Sequence, residues 1–460
     1  MPSVDAPLLA AVCHRHFGDE VTIEDLRRLS GGASRETWAF TAATGDGPHH
    51  LVLRRDPGAT IGSTDRTTEY RLLQAADAGG VAVPRVRFLL EAADGLGAGF
   101  VMDHIEGETI PRKILRDDAF ASARARLTEQ CADTAAAIHA IPLTSLPRLP
   151  RQDAASQIDQ FQGVLDALGE PHPAFELGLR WLRARAPLLP ATELGLVHGD
   201  FRNGNFIVDG DGLRSVLDWE LAHLGDPVED LGWLCVKSWR FGNVDLPAGG
   251  FGTVDELLAH YVAASGTPVS REHLQYWEVF GTLKWGVICE MQAFSHLQGL
   301  VRSVELAALG RRIAEMEWDL LDLIDPDPIA APPEVDPVDP PTMHDRPTAV
   351  ELLESVREYL EGDVMTGPGR VAFHARVASK VLASVERELR LGPGQYAAEQ
   401  ARLRDLTGVD TSVREQTVEL AGRIRAGELD ARTDQVFAAV RASVRSKLAV
   451  SNPDYVNSGR

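Results

Sequence analysis

The chain has 460 residues, 44% hydrophobic and 25% charged, enough for two or three globular domains with a real core. Its net charge of −21 arises in residues 1–344, with 50 acidic groups against 29 basic ones, while residues 345–460 carry 17 of each; such a field disfavours nucleic acid. No apolar run of about 18 residues suggests a membrane span, and the N-terminus lacks the basic and apolar regions of a secretion signal.

The four cysteines (Cys13, Cys131, Cys235, Cys289) form no CxxC pair or zinc spacing. They read as core thiols in a reducing cytosol, so the chain is expected to be cytoplasmic. In chain order, residues 20–105 form a small mixed lobe. Strands are predicted at Leu26 to Leu29, Thr37 to Thr41, Leu51 to Arg54, Val86 to Leu90 and Phe100 to Ile105. A helix over 65–78 carries Tyr70, Leu72, Leu73 and Ala76 and ends at Gly79-Gly80. The order is βββαββ.

Residues 106–324 read as a helical lobe. Helices are predicted at Ala119 to Ile141, Phe175 to Leu189, Val254 to Ala264, His273 to Ala293 and Val304 to Leu323. Asp226-Pro227 reads as a cap and first residue of a further helix. From Asp325 to Pro341, seven prolines and four aspartates in seventeen residues mark a semi-rigid linker, taken as 325–344. Residues 345–455 form an all-helical module. Phe373, Val377, Val381, Val385 and Leu389 recur every four residues, as nearly do Phe437, Val440, Val444 and Leu448. Gly-Asp-Val and Gly-Pro-Gly breaks divide it into about five helices, a small bundle.

The chemistry concentrates in His198-Gly-Asp200-Phe-Arg202-Asn-Gly-Asn205, followed thirteen residues later by Asp218. Phe206-Ile-Val208 and Leu213 to Leu217 read as two strands joined by the turn Asp209-Gly-Asp-Gly212. Such a hairpin returns Asp218 to Asn205. Asp200 can accept the proton of an attacking hydroxyl, and Asn205 with Asp218 can hold magnesium against ATP phosphates. One amide oxygen and one carboxylate suit the sparse protein coordination of that ion. The local alternative is a tight turn in which Asp and Asn cap backbone groups.

An ATP site also needs a cation on the third strand and an acid on the next helix. Leu51-Val-Leu-Arg54 and Glu69 supply them in that order. The chain has five lysines and the first is Lys113, so Arg54 must fill the role usual for lysine. The turn Ser30-Gly31-Gly32-Ala33-Ser34 can cover phosphates but lacks a full GxGxxG pattern. Met102, Asp103 and Ile105 lie where a connector between lobes would meet adenine.

Three stretches resemble the aminoglycoside phosphotransferase/choline kinase-like family over about residues 20–325. They are Leu-Val-His-Gly-Asp-Phe-Arg-Asn-Gly-Asn-Phe at 196–206, Val-Leu-Asp-Trp-Glu at 216–220 and Gly-Asp-Pro-Val-Glu-Asp-Leu-Gly-Trp-Leu at 225–234. Their form, with Leu53-Arg54-Arg55 and Pro57, is most similar to the branch fused to acyl-CoA dehydrogenases. The tail resembles a bacterial helical domain of unknown function appended to such kinases. The resemblance implies an α+β, two-lobed protein-kinase-like fold followed by a small all-α bundle.

It further implies Asp200 as catalytic base, with His198 and Arg202 in the same catalytic loop and His198 bracing it. Asn205 and Asp218 become magnesium ligands, and Arg54 with Glu69 the nucleotide ion pair. Asp226 is expected to tie the loop to the helix that follows. The expected activity is ATP- and magnesium-dependent phosphorylation of a small-molecule hydroxyl, with a hydroxyacyl-CoA as one acceptor. An antibiotic phosphotransferase and a nucleotide-binding pseudokinase are the alternatives. The basic cluster Arg112, Lys113 and Arg116 can meet a CoA phosphate or simply open a helix. Trp233, Trp239, Trp277 and Trp285 fall where an acceptor cleft is walled. A protein partner or self-association through the C-terminal helices completes the expectations.

Overall fold

A computed structural model describes residues 4–18, 20–29, 36–56, 65–326, 335–340, 345–367 and 369–456. The N-terminal part is an antiparallel sheet of β1 (Thr22–Arg28), β2 (Glu36–Thr44), β3 (Gly47–Asp56), β4 (Val86–Leu89) and β5 (Ala98–Asp103), in the order β1-β2-β3-β5-β4. Alternation along β3 divides its side chains between two faces. Leu51 and Leu53 join Leu9, Val12 and Cys13 of the helix Ala6–Phe17 in one apolar cluster. That helix, capped by Asp5, precedes the first element read from sequence. Arg54 belongs to the opposite face, which the helix Arg66–Ala78 covers through Glu69 and through Tyr70 packed edge-on against Phe100.

The catalytic segment is built from short strands: β6 (Gly195–Val197), β7 (Phe206–Asp209), β8 (Gly212–Val216) and β9 (His223–Gly225). β6 pairs with β9, and β7 forms a hairpin with β8. Asp209 makes the hairpin turn by accepting the amides of Asp211 (2.7 Å) and Gly212 (3.2 Å). The helix Ala121–His139 supports it, with the Gln130 side chain accepting the Leu213 amide at 2.8 Å.

The chain packs as two compact units, residues 1–154 with 190–278 and residues 155–189 with 279–460. The first holds the sheet and all the short strands. In the second, Ala314, Trp318 and Leu321 of the helix Ile313–Ile324 share a core with Leu403, Leu420, Ile424, Val440, Val444 and Leu448 from the C-terminal helices. Among the described residues no helix is long and apolar enough to cross a membrane.

Several local expectations need correction. Residues 304–323 form two helices, Val304–Arg311 and Ile313–Ile324, because Arg312 closes one in a 3₁₀ turn and opens the next. Among the described residues the C-terminal part has four α-helices, Ala349–Tyr359, Gly369–Thr407, Val413–Ala426 and Thr433–Ser451. Gly392-Pro393-Gly394 does not break the second of these. The passing segment supports it there: the Val338 amide donates to the Arg390 carbonyl at 3.2 Å, and Val335 packs beside Gly394. Phe373 and Val385, predicted as core, are exposed; the buried stripe runs instead through Ala372, Ala375 and Ser379. Small residues let the helix Ala349–Tyr359 and the chain after it lie close. Most of the linker, residues 327–334 and 341–344, lies outside the described residues.

Candidate active site

β6 runs directly into the loop His198–Asn205. The turn requires Gly199, whose φ is +79° and whose missing Cβ would stand 2.4 Å from the Leu221 carbonyl oxygen. His198 is fully buried. Its Nδ1 accepts the Asp200 amide at 3.1 Å, so the ring proton sits on Nε2 and is donated to the Leu217 carbonyl at 3.1 Å. Burial holds the imidazole below its ordinary pKa, against the pull of Asp230, Asp200 and Asp218. His198 is thus a neutral brace between loop and hairpin, with neither ring nitrogen left to act as base.

The loop backbone is anchored from the helix Val228–Cys235. Buried Asp230 accepts the amides of His198 (2.8 Å) and Gly199 (2.9 Å) and the Nε2 proton of His139 (3.1 Å). Burial alone would raise its pKa; His139 and the loop amides outweigh that and keep it a carboxylate. Sequence reading assigned this tie to Asp226, and the structure assigns it to Asp230. Asp226 instead accepts from His273 (2.6 Å), Trp277 (2.9 Å) and the Val228 amide (3.1 Å), capping the helix and joining it to the start of the helix Arg271–Leu297. The sequence offers Asp230 as a second acid one helical turn beyond Asp226, and spacing alone does not choose between them.

Asp200, Asn205 and Asp218 come together as the hairpin requires. Asn205 donates through Nδ2 to the Asp200 carboxylate (2.5 Å) and carbonyl (3.0 Å), which leaves its amide oxygen for a cation. The Leu217 amide donates to the Asn205 carbonyl at 2.8 Å, setting Asp218 beside it. Asp218 has the left-handed backbone conformation, φ 62°, unusual for a residue other than glycine and typical of over-determined functional positions. Partial burial would raise its pKa, but Arg54, and more weakly Arg202 and His198, hold it below the ordinary value.

Arg54 links β3 to this hairpin. Its Nε lies 3.2 Å from Glu69 and its Nη2 donates to Asp218 at 2.5 Å, with Glu220 at 3.8 Å. Glu69 is buried and shared with Arg66, which also pairs with Asp56 through two bonds of 2.7 and 3.0 Å. Sequence reading missed Arg66; its place three residues before Glu69 on one helix face was the available signal. Met102 is buried in β5. Asp103 pairs with Arg87 (2.5 and 2.9 Å), and its amide donates to the Arg85 carbonyl. Ile105 follows at the strand end, half-buried. Ser30, Gly31, Gly32 and Ser34 lie outside the described residues.

On the other side of the loop, Trp233 donates its indole proton to Asp200 Oδ1 at 2.8 Å, and Arg202 donates to the same oxygen at 2.8 Å. The Arg202 guanidinium lies over the Trp239 ring, 4.3 Å from its centroid. Trp277 is committed to Asp226, while Trp285 falls in the second unit. Lys113 donates to Glu108 at 2.9 Å, so this cation of the basic cluster already has an anion.

The model of the phosphotransferase enzyme family (APH) matches residues 25–270, and that of a domain of unknown function (DUF6285) matches 365–455. The chain is 27% identical over 320 residues to mouse acyl-CoA dehydrogenase family member 10, covering 64% of this chain and 29% of that protein. It is 27% identical over 285 residues to the probable acyl-CoA dehydrogenase IBR3 of Arabidopsis thaliana, covering 55% of this chain and 34% of that one. The chain therefore spans about a third of the length of these curated relatives. Among solved structures, a putative aminoglycoside phosphotransferase from Ralstonia eutropha shares the fold at a TM-score of 0.54 and 23% identity, over 69% of this chain and 98% of that one. The family match covers more than half of the sequence and contains every catalytic-loop residue described above, and the chain belongs to the phosphotransferase enzyme family.

Proposed function

We propose that this chain is an ATP- and magnesium-dependent kinase that phosphorylates a hydroxyl group of a small molecule. The observation that carries the reading is the convergence of Asp200, Asn205 and Asp218 at the end of one hairpin, with Arg54 of β3 bonded to Asp218 and backed by Glu69 of the helix Arg66–Ala78. Asp200 takes the proton of the acceptor hydroxyl as its oxygen bonds to the γ-phosphorus. The bond to the β,γ-bridging oxygen breaks, and ADP leaves. Arg54, paired with Glu69, would supply positive charge to the α- and β-phosphates. The Asn205 amide oxygen and the Asp218 carboxylate would hold magnesium, which supplies charge neutralisation on the phosphates.

The acceptor we favour is a hydroxyacyl-CoA. Support comes from the two relatives above, whose names are those of acyl-CoA dehydrogenases. The test is ADP release from magnesium ATP across hydroxyacyl-CoAs, aminoglycosides, macrolides and amino alcohols, run beside Asp200→Asn. Stimulation by hydroxyacyl-CoA that falls at least about 10³-fold in the variant is the expected result. Stimulation by an antibiotic instead would move the chain to antibiotic modification. ATP binding without turnover on any acceptor would make it a pseudokinase.

A further inference from the structure

We propose that Trp233 is a positioning residue for the base, and that it makes Oδ2 of Asp200 the oxygen that receives the acceptor proton. The proposal rests on the kinase reading above. A carboxylate presents about four lone-pair sites, two on each oxygen. Among the described residues, Oδ1 accepts two donors, the Trp233 indole and the Arg202 Nε, both at 2.8 Å. Oδ2 accepts one, the Asn205 amide, at 2.5 Å. One site remains, and it is on Oδ2. A hydroxyl approaching Oδ1 would have to displace either Arg202, from a charge-assisted bond, or the indole, which is 2% exposed and would be left unsatisfied.

The indole is suited to this role for two reasons. It is 2% exposed, so its N–H needs a protein acceptor, and the acceptor it meets is the base. It is also rigid within a closed chain of contacts. The Trp233 ring packs at 5.3 Å on Trp239, Trp239 carries the Arg202 guanidinium, and Arg202 returns to Asp200. Trp233 stands on the same helix as Asp230, one turn further on. A single helix therefore holds both the loop backbone, through Asp230, and the side-chain rotamer of the base, through Trp233.

Trp233→Phe keeps the ring and removes the donor. We expect kcat to fall about 10- to 100-fold, the range for loss of orientation of a reacting group. Acceptor KM and ATP affinity should change less than about twofold, as should the residual rate when the substitution is added to Asp200→Asn. A fall in ATP affinity parallel to kcat, an equal loss in the Asp200→Asn background, or an unchanged kcat would each overturn the role. The contact has its own readout. The indole N–H resonance that vanishes in Trp233→Phe should shift in Asp200→Ala, whether or not the enzyme turns over. Turnover with an unmoved resonance would overturn the contact and the proposal. A shifted resonance in a wild-type protein that phosphorylates no acceptor would overturn the kinase reading, and the assignment of Oδ2 with it.

Discussion

At the level of single residues, the site is organised by shared acceptors more than by isolated pairs. Glu69 serves both Arg54 and Arg66, and Asp200 serves Trp233, Arg202 and Asn205. Sharing has a consequence for Arg54. Its replacement does not strand a buried carboxylate, because Arg66 still neutralises Glu69. Arg54→Gln should therefore raise the ATP dissociation constant about tenfold, the value of one lost charge-assisted contact, with little change in thermal midpoint. Titration with ATP and a melting curve on the same sample check this. Unchanged ATP affinity would exclude Arg54 as the phosphate cation.

At the level of elements, the helix Val228–Cys235 matters most. It carries Asp230 and Trp233 on one side, and it packs by Gly232 against Trp277 so closely that a Cβ would stand 2.5 Å from the Trp277 Cβ and 2.6 Å from its carbonyl carbon. The second contact is backbone, so the helix itself has to move. Gly232→Ala should cost about 1–3 kcal/mol and displace the two catalytic anchors together. The expected outcome is a lowered midpoint in denaturant and a reduced kcat from one substitution remote from substrate. A variant with wild-type stability and rate would show that the helix tolerates the shift. Of this helix, Asp226-Pro227 and the apolar run were legible in the sequence. The choice between Asp226 and Asp230 as loop anchor was not, because both acids lie within reach of the loop along the chain and only packing against His273 and Trp277 takes Asp226 away.

At the scale of the molecule, the chain packs as two units, and the second contains a buried charge cluster that should respond to pH. Burial by itself would lower the His172 pKa, but the Glu290 carboxylate 3.4 Å away and the hydrogen bond to Glu317 at 2.9 Å push it up to about 9. Burial would raise Glu317; Lys447 and His172 instead bring it down to about 2. The sign follows from the unfolded values of 6.5 and 4.5. The His172 contribution is full below pH 6.5 and disappears as pH rises through about 9. The Glu317 contribution is full above pH 4.5 and is lost as pH falls towards 2. Calorimetry should show the midpoint of this unit falling between pH 6.5 and 9, with the slope flattened in His172→Gln. An identical slope in that variant would place the titrating group elsewhere.

The sequence by itself determined the order βββαββ over residues 20–105, the hairpin of β7 and β8, and the grouping of Asp200, Asn205, Asp218 and Arg54 in one candidate site. These are local features. A hairpin turn of Asp and Gly brings Asn205 and Asp218 together whatever surrounds it, and period-two alternation sends Arg54 to one face of β3. Tertiary structure decided what depends on residues far apart in the chain. Phe373 is exposed although its spacing is that of a buried stripe, and Pro393 sits inside a helix because a passing segment packs there. Trp233 turns its N–H to Asp200 across a separation of 33 residues. Periodicity gives the face a residue shares with its neighbours; which partner covers that face, and which donor reaches which oxygen, is settled only when distant elements compete for the same space.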